Sequence, residues 1–318
     1  MKSILIVRLG AMGDIIHALP GASSLKHSFP AARVTWVVEP RWVPLLEGNG
    51  FVDRIVVFRR DDPRSWRRTK DELRAEQYDL AVDFQGLTKS ALIAHAARPE
   101  RIAGFGSRVV RERPAGLFYS ARVESQAVHV VDQALDLAAG AGATNLVRAF
   151  PLPPGSPEGH LPAEPFVLAS PLAGWTSKQW PLEYYARIAP MLRERLGMSL
   201  VLNGAPGTVP AVEGTLVHES GIAGLIDVTR RAALVIGVDS GPLHLAAALN
   251  KSGAAIFGPT DPVRNGPYGG DFEVFRTAGA PTTHRRGATI AASMRAITPA
   301  QVFAALASRV NCHAGSPG

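Results

Sequence analysis

The chain has 318 residues and a mass of 33.8 kDa, which predicts about two domains, and its 46% hydrophobic and 19% charged residues supply sizeable cores and exclude wholesale disorder. One cysteine, Cys312, excludes a disulfide framework and a multi-cysteine zinc site and fits a reducing compartment. The formal net charge is +7, with 21 basic against 16 acidic residues over 1–150 and 13 against 11 beyond, a balance that attracts phosphorylated substrates, anionic membrane or nucleic acid without choosing among them.

Met1-Lys2 leads into an apolar run over 3–7 that is too short for a secretory signal and is ended by Arg8. No apolar run reaches the roughly 20 residues of a membrane span; the richest, Leu234 to Leu249, is broken by Asp239 and His244. These features predict a cytoplasmic protein that touches a membrane only peripherally. Residues 3–8 read as a buried parallel strand, followed by Gly10-Ala11-Met12-Gly13-Asp14 and a helix carrying Ile15, Ile16, Leu19 and Leu25. Strands follow at Arg33 to Val38, Ile55 to Phe58 and Leu80 to Asp83, with helices at Trp42 to Leu46 and Arg64 to Glu76. Six prolines between Pro151 and Pro165 mark an interdomain linker. Alternation resumes with strands at Phe166 to Ala169, Met198 to Asn203, Leu234 to Val238 and Ala254 to Phe257. The intervening helices read as Leu182 to Leu196, Ala223 to Ala232 and Pro242 to Leu249, and a final helix as Pro299 to Val310. Strand–helix alternation argues an α/β protein with parallel sheets covered on both faces. We expect two Rossmann-like domains, 1–150 and 151–318, facing a central cleft, with ligands at the carboxyl ends of the strands. The last helix is expected to pack back toward the first domain.

Four segments are able to carry chemistry. After the first strand, Gly10 and Gly13 permit a tight turn and close ligand approach, but the spacing lacks the third glycine of a dinucleotide fingerprint. Asp14 at the helix start either caps the helix or serves as a general base. In Gly237-Val238-Asp239-Ser240-Gly241-Pro242-Leu243-His244, a strand delivers Asp239, Ser240 is placed to cap, and Pro242 suits the first helical turn. The free N–H groups of that helix start suit a diphosphate; taken singly, Asp239 reads as a cap and His244 as a packed side chain. Thr176, Ser177 and Lys178 follow the first strand of the second half, where Lys178 is either a solvated loop residue or a cation facing a leaving diphosphate. Basic residues gather over Arg54 to Arg74, including Arg59, Arg60 and Arg64, and again at Arg108, Arg111 and Arg113. The first group is interspersed with acidic residues and also reads as a solvated helix face. If they share a rim, the two groups suit a multiply phosphorylated or carboxylated substrate. No His/Cys cluster, D-x-D pair, Walker loop or G-x-S-x-G elbow is present, and no nucleic-acid module is recognisable.

Taken in order over roughly Met1 to Gly269, these segments resemble glycosyltransferase family nine, the bacterial lipopolysaccharide heptosyltransferases. The resemblance rests on Ile4-Leu5-Ile6-Val7-Arg8 through Met12-Gly13-Asp14, His17 and Leu19-Pro20. It continues in Asp83-Phe84-Gln85-Gly86-Leu87-Thr88-Lys89-Ser90 and Arg111 through Leu117-Phe118-Tyr119, which are similar to the branch that adds the first heptose. Lys178-Gln179-Trp180-Pro181, Val238 to His244 and Gly258-Pro259-Thr260-Asp261-Pro262 complete it. The resemblance implies a GT-B fold, ADP-heptose as donor, Kdo-lipid A as acceptor, and inversion at the anomeric carbon with no required metal or cofactor. It implies Asp14 as base and Lys178 as the cation on the departing diphosphate. Gly13, Thr176, Ser177, Ser220, Asp239, Ser240, Gly241 and His244 would bind donor, and Arg59, Arg60, Arg64, Gln85, Lys89 and Arg111 would bind acceptor. Peripheral attachment to the cytoplasmic face of the inner membrane follows on the same terms.

The sequence departs from the family pattern in three places. Gly10-Ala11 and Ala173-Gly174 stand where hydroxyl residues are expected, and Pro206-Gly207-Thr208 replaces an acidic residue expected to contact the nucleoside. The same chemistry with another nucleotide sugar or surface glycan is the alternative; a non-catalytic two-lobed binding protein and a nicotinamide dehydrogenase come after it.

Overall fold

The structure, a computed structural model, describes residues 1–283 and 286–314. The side chain of Cys312 lies outside the described part. The chain divides into two compact units, Met1–Pro153 and Pro154–Gly318.

The first unit runs β1 (Ser3–Val7), α1 (Met12–Ser28), β2 (Arg33–Val38), β3 (Arg54–Val57), α2 (Pro63–Arg74), β4 (Leu80–Asp83), α3 (Thr88–Ala96), β5 (Arg101–Phe105), β6 (Ala121–Val123) and α4 (Val130–Ala141). Its sheet is parallel in the order β3-β2-β1-β4-β5-β6. Ile4, Leu5, Ile6 and Val7 are fully buried because helices cover both faces, which is why the strand reads as an unbroken apolar run. Helix α1 lies close against α4: a Cβ on Gly21 would come within 2.6 Å of the Ala134 carbonyl oxygen. The predicted helix at Trp42 to Leu46 is instead a 3-10 helix over Pro40–Leu45. Pro44 has no N–H to donate to the Pro40 carbonyl, so an α-helical turn cannot close there.

The second unit repeats the plan: β7 (Phe166–Ala169), α5 (Leu182–Leu196), β8 (Ser199–Gly204), β9 (Thr215–Glu219), α6 (Ile222–Arg231), β10 (Leu234–Val238), α7 (Gly241–Ala248), β11 (Ser252–Phe257), α8 (Pro262–Asn265), β12 (Asp271–Arg276), α9 (Ala292–Arg295) and α10 (Pro299–Ala314). The parallel order is β12-β11-β10-β7-β8-β9. Buried Val302, Phe303 and Leu306 of α10 join the core of this unit with Leu192 and Ile256. The Glu158 carboxylate accepts hydrogen bonds from the Gly221 and Gly224 amides (2.7 and 3.0 Å), which ties the proline-rich segment to the start of α6. No helix among the described residues is long and apolar enough to cross a membrane.

Each sheet reverses its strand order once, between β1 and β4 in the first unit and between β7 and β10 in the second. Loops leaving the two central strands diverge at such a point and open a crevice at their carboxyl ends.

Candidate active site

In the first unit the loops after β1 and β4 meet at the switch point. Asp14 sits in the first turn of α1, but Ala11 is the N-cap residue and no side chain caps the helix. The carboxylate is instead held from two sides: Arg8 Nη2 lies 2.7 Å from Oδ2 and Arg111 Nη2 lies 2.9 Å from Oδ1. Arg8 is buried at the end of β1 and donates through Nη1 to the Phe84 carbonyl (2.6 Å). Burial pulls its guanidinium down to about 10 against the opposing pull of Asp14. Burial raises the Asp14 pKa, but the charges of Arg8 and then Arg111 outweigh it and hold the carboxyl well below the usual carboxylate range.

The segment Asp83 to Gly86 builds this arrangement. Buried Asp83 accepts from the Gln85 and Gly86 amides (2.9 and 3.2 Å), Ser90 Oγ (2.8 Å) and the Tyr119 hydroxyl (2.7 Å). Burial raises its pKa despite these bonds, and burial together with Asp83 drives the Tyr119 hydroxyl upward as well. Gly86 closes the turn at φ 70°, a conformation that costs any residue with a Cβ. The turn aims Gln85 back at β1, where its Oε1 accepts from the Leu9 amide (2.8 Å). Gln85 is buried, and this oxygen braces the loop that carries Asp14.

In the second unit the centre is Asp239, 5% exposed at the end of β10. Its Oδ2 lies 2.5 Å from Lys178 Nζ; its Oδ1 accepts from Asn265 Nδ2 (3.1 Å) and faces His244 Nε2 at 3.5 Å. Burial pushes the Asp239 pKa up, and the hydrogen bond and charge of His244 followed by Lys178 bring it well below the ordinary value. Lys178 is not a solvated loop residue: its Nζ also lies 4.4 Å from the Trp175 ring centroid. Its loop is anchored by Trp180, fully buried, whose Nε1 donates to the Ile297 carbonyl (2.8 Å). Asp261 caps α8 by accepting from the Val263 amide (3.0 Å), and that helix brings Asn265 to Asp239.

The other predicted residues fall in these surroundings with differing roles. Ser240 is the N-cap residue of α7, but its buried hydroxyl makes no capping bond and has no hydrogen-bond partner among the described residues. Gly241 is the first residue of that helix. The Ser177 hydroxyl is likewise buried without a partner among the described residues, whereas Thr176 is exposed. Ser220 follows β9 and accepts from Asn203 Nδ2 (2.8 Å). Gly13 precedes Asp14 in α1. Arg60 pairs with Glu39 (2.6 Å), which stands beside Gly10. Arg54 pairs with Glu72 and Glu76, and Arg67 and Arg68 pair with Asp71 and Asp62, so part of the basic run is the ion-paired helix face. Arg59 and Arg64 are exposed and make no ion pair among the described residues; Lys89 is exposed with Nζ 5.9 Å from the Phe58 ring centroid. Sequence reasoning gave no role to Arg8, Asp83, Tyr119, Trp175 or Asn265. For Arg8 the signal was present, as a charge directly after the apolar run Ile4 to Val7.

The profile of glycosyltransferase family 9 (heptosyltransferase) matches residues 66–292. Lipopolysaccharide heptosyltransferase 1 of Pseudomonas aeruginosa is 30% identical over 295 residues, covering 84% of this chain and 81% of that protein. The chain belongs to glycosyltransferase family 9. The protein of the same name from Escherichia coli K12 is 28% identical over 297 residues, covering 84% and 91%. Among solved structures, E. coli heptosyltransferase WaaC with ADP superposes with a TM-score of 0.76 at 23% identity, covering 98% of this chain and 99% of that one. E. coli ADP-heptose LPS heptosyltransferase II gives a TM-score of 0.78 at 20% identity, covering 99% and 100%. The protein is thus a family 9 glycosyltransferase of GT-B fold, with a charged cluster at the switch point of each Rossmann-like unit.

Proposed function

We propose that this family 9 enzyme transfers heptose from ADP-heptose to a Kdo residue of Kdo-lipid A, with inversion, in assembly of the lipopolysaccharide inner core. The observation that carries the reading is the pair of switch-point clusters, a carboxylate gripped by two arginines in the first unit and Lys178-Asp239-His244 in the second. The relatives named lipopolysaccharide heptosyltransferase 1 support it. In this mechanism Asp14 removes the proton from the acceptor hydroxyl as that oxygen attacks the anomeric carbon. The bond from that carbon to the diphosphate breaks, and ADP leaves with the electron pair. Lys178 and the free amides at the start of α7 stabilise the charge that develops on the diphosphate. The exposed arginines Arg59 and Arg64 and the Arg111 guanidinium meet acceptor carboxylates and phosphates. Attachment to the cytoplasmic face of the inner membrane is peripheral and salt-sensitive on this reading. The test is ADP release from ADP-heptose with Kdo-lipid A, wild type beside Asp14→Ala. Acceptor-dependent release that disappears in the variant supports the reading; no release from folded wild type moves the assignment to another donor or acceptor.

One departure from the family pattern bears on the identity of the donor nucleotide. Pro206-Gly207-Thr208 lacks the acidic residue expected there, yet Glu219 of the neighbouring strand accepts from the Gly207 amide (2.8 Å) and brings a carboxylate to the same turn. A different nucleotide would change what that turn contacts. In a thermal-shift panel the nucleotide bound tightest stabilises the fold most, and ADP is expected to lead.

A further inference from the structure

The two arginines that hold Asp14 are not equivalent. Arg8 is 4% exposed and fixed by its second bond to the Phe84 carbonyl, so it cannot leave without stranding a buried charge. The Arg111 side chain is 41% exposed. Its backbone is anchored next door, where the Glu112 amide donates to the Gly86 carbonyl (3.0 Å) and the Glu112 carboxylate accepts from the Thr88 amide (2.8 Å). A fixed backbone with an exposed guanidinium is a group that can exchange one carboxylate for another without disturbing the fold. The oxygen it occupies, Oδ1, is the one not already held by Arg8. A carboxylate donated to on both oxygens is a poor proton acceptor, so the resting arrangement opposes the role of base.

We propose that Arg111 is an exchangeable clamp: a carboxylate of the acceptor displaces Asp14 from the Arg111 guanidinium, and the arriving acceptor thereby frees the oxygen that takes its proton. Arg111 is then an acceptor-binding residue and a positioning residue for the base at once. A neutral sugar cannot make this exchange, and the enzyme selects acidic acceptors at the chemical step as well as in binding. The inference rests on the proposed acidic acceptor and on Asp14 as base.

The experiment is a double-mutant cycle read by calorimetric binding of free Kdo to the full-length protein, with its methyl ester as control. Wild type, Asp14→Asn, Arg111→Gln and the double variant are compared, and thermal melts establish that each is folded. An ion pair at this exposure is worth up to about 1 kcal/mol, or about fivefold in affinity, which is what Kdo must overcome in wild type. Asp14→Asn is expected to tighten Kdo binding about fivefold, and the same substitution in the Arg111→Gln background to change it little. The methyl ester should show no gain in either background. An equal gain in both backgrounds means simple loss of a repulsive charge and overturns the exchange, as does no gain at all. Kdo binding to none of the four proteins, with nucleotide binding intact, instead overturns the acidic-acceptor reading and takes the exchange with it.

Discussion

Replacing Lys178 by Met is expected to destabilise the fold more than an exposed ion pair would. Lys178 Nζ lies 2.5 Å from Asp239 Oδ2, and Asp239 is 5% exposed, so the substitution leaves one oxygen of a buried carboxylate without its cation. Breaking a buried pair from one side costs about 3–5 kcal/mol. Here Asn265 and His244 still face Oδ1. The cost should therefore lie at or just below the lower end of that range, about 2–3 kcal/mol, which for a unit of this size is a fall of roughly 5–10 °C in Tm. Asp239→Asn should cost less, about 1–2 kcal/mol, because Lys178 is 16% exposed and can turn toward water. The double variant should cost little more than Lys178→Met alone, giving a coupling of about 1.5 kcal/mol in urea denaturation at neutral pH. The pH response follows from the same pair. The Asp239 pKa is depressed in the folded state, so its contribution is fully present above the ordinary value of 3.8 and is lost as pH falls below it. Wild type should therefore lose stability more steeply than Lys178→Met as pH falls below about 4. Single-variant costs that add to the double within about 0.5 kcal/mol, or parallel acid profiles, would refute the argument.

Tyr119→Phe removes a 2.7 Å hydrogen bond to buried Asp83 and should cost about 1.5–3 kcal/mol by urea denaturation, with a loss of turnover because Asp83 shapes the turn that braces the Asp14 loop. Gly21→Val drives side-chain atoms at the Ala134 carbonyl, 2.6 Å from an ideal Cβ, and should lower stability by about 1–3 kcal/mol through forced separation of α1 and α4. Arg8→Lys keeps a positive charge but loses the fork that spans Asp14 and the Phe84 carbonyl. Steady-state kinetics should show a kcat at least tenfold lower, with nucleotide affinity unchanged because Lys178, Asp239 and α7 lie in the other unit.

How much of this was legible in the sequence depends on what each residue reports. Central strands such as Leu80–Asp83, Phe166–Ala169 and Leu234–Val238 are buried on both faces, and their apolar runs mark them to the residue. Edge strands β6, β9 and β12 are partly exposed, mix polar with apolar residues, and carry no such mark. The same contrast governs the site. Asp14, Lys178, Asp239 and His244 were visible because each follows a readable strand, and strand ends in a parallel sheet are where ligands bind. What spacing could not supply was the pairing. Asp14 and Arg111 are 97 residues apart, and Lys178 and Asp239 are 61 apart. Only the strand order, which runs β1-β4-β5 in the first unit and puts β10 beside β7 in the second, brings the loops after these strands together. Gln85 shows the consequence. The family resemblance implies an acceptor contact there; in the fold its oxygen is committed to the Leu9 amide of the adjacent strand's exit loop. The motif around it therefore constrains the loop that carries Asp14. Substitution of Gln85 should accordingly depress turnover more than acceptor affinity, which steady-state kinetics can separate as a fall in kcat with KM little changed.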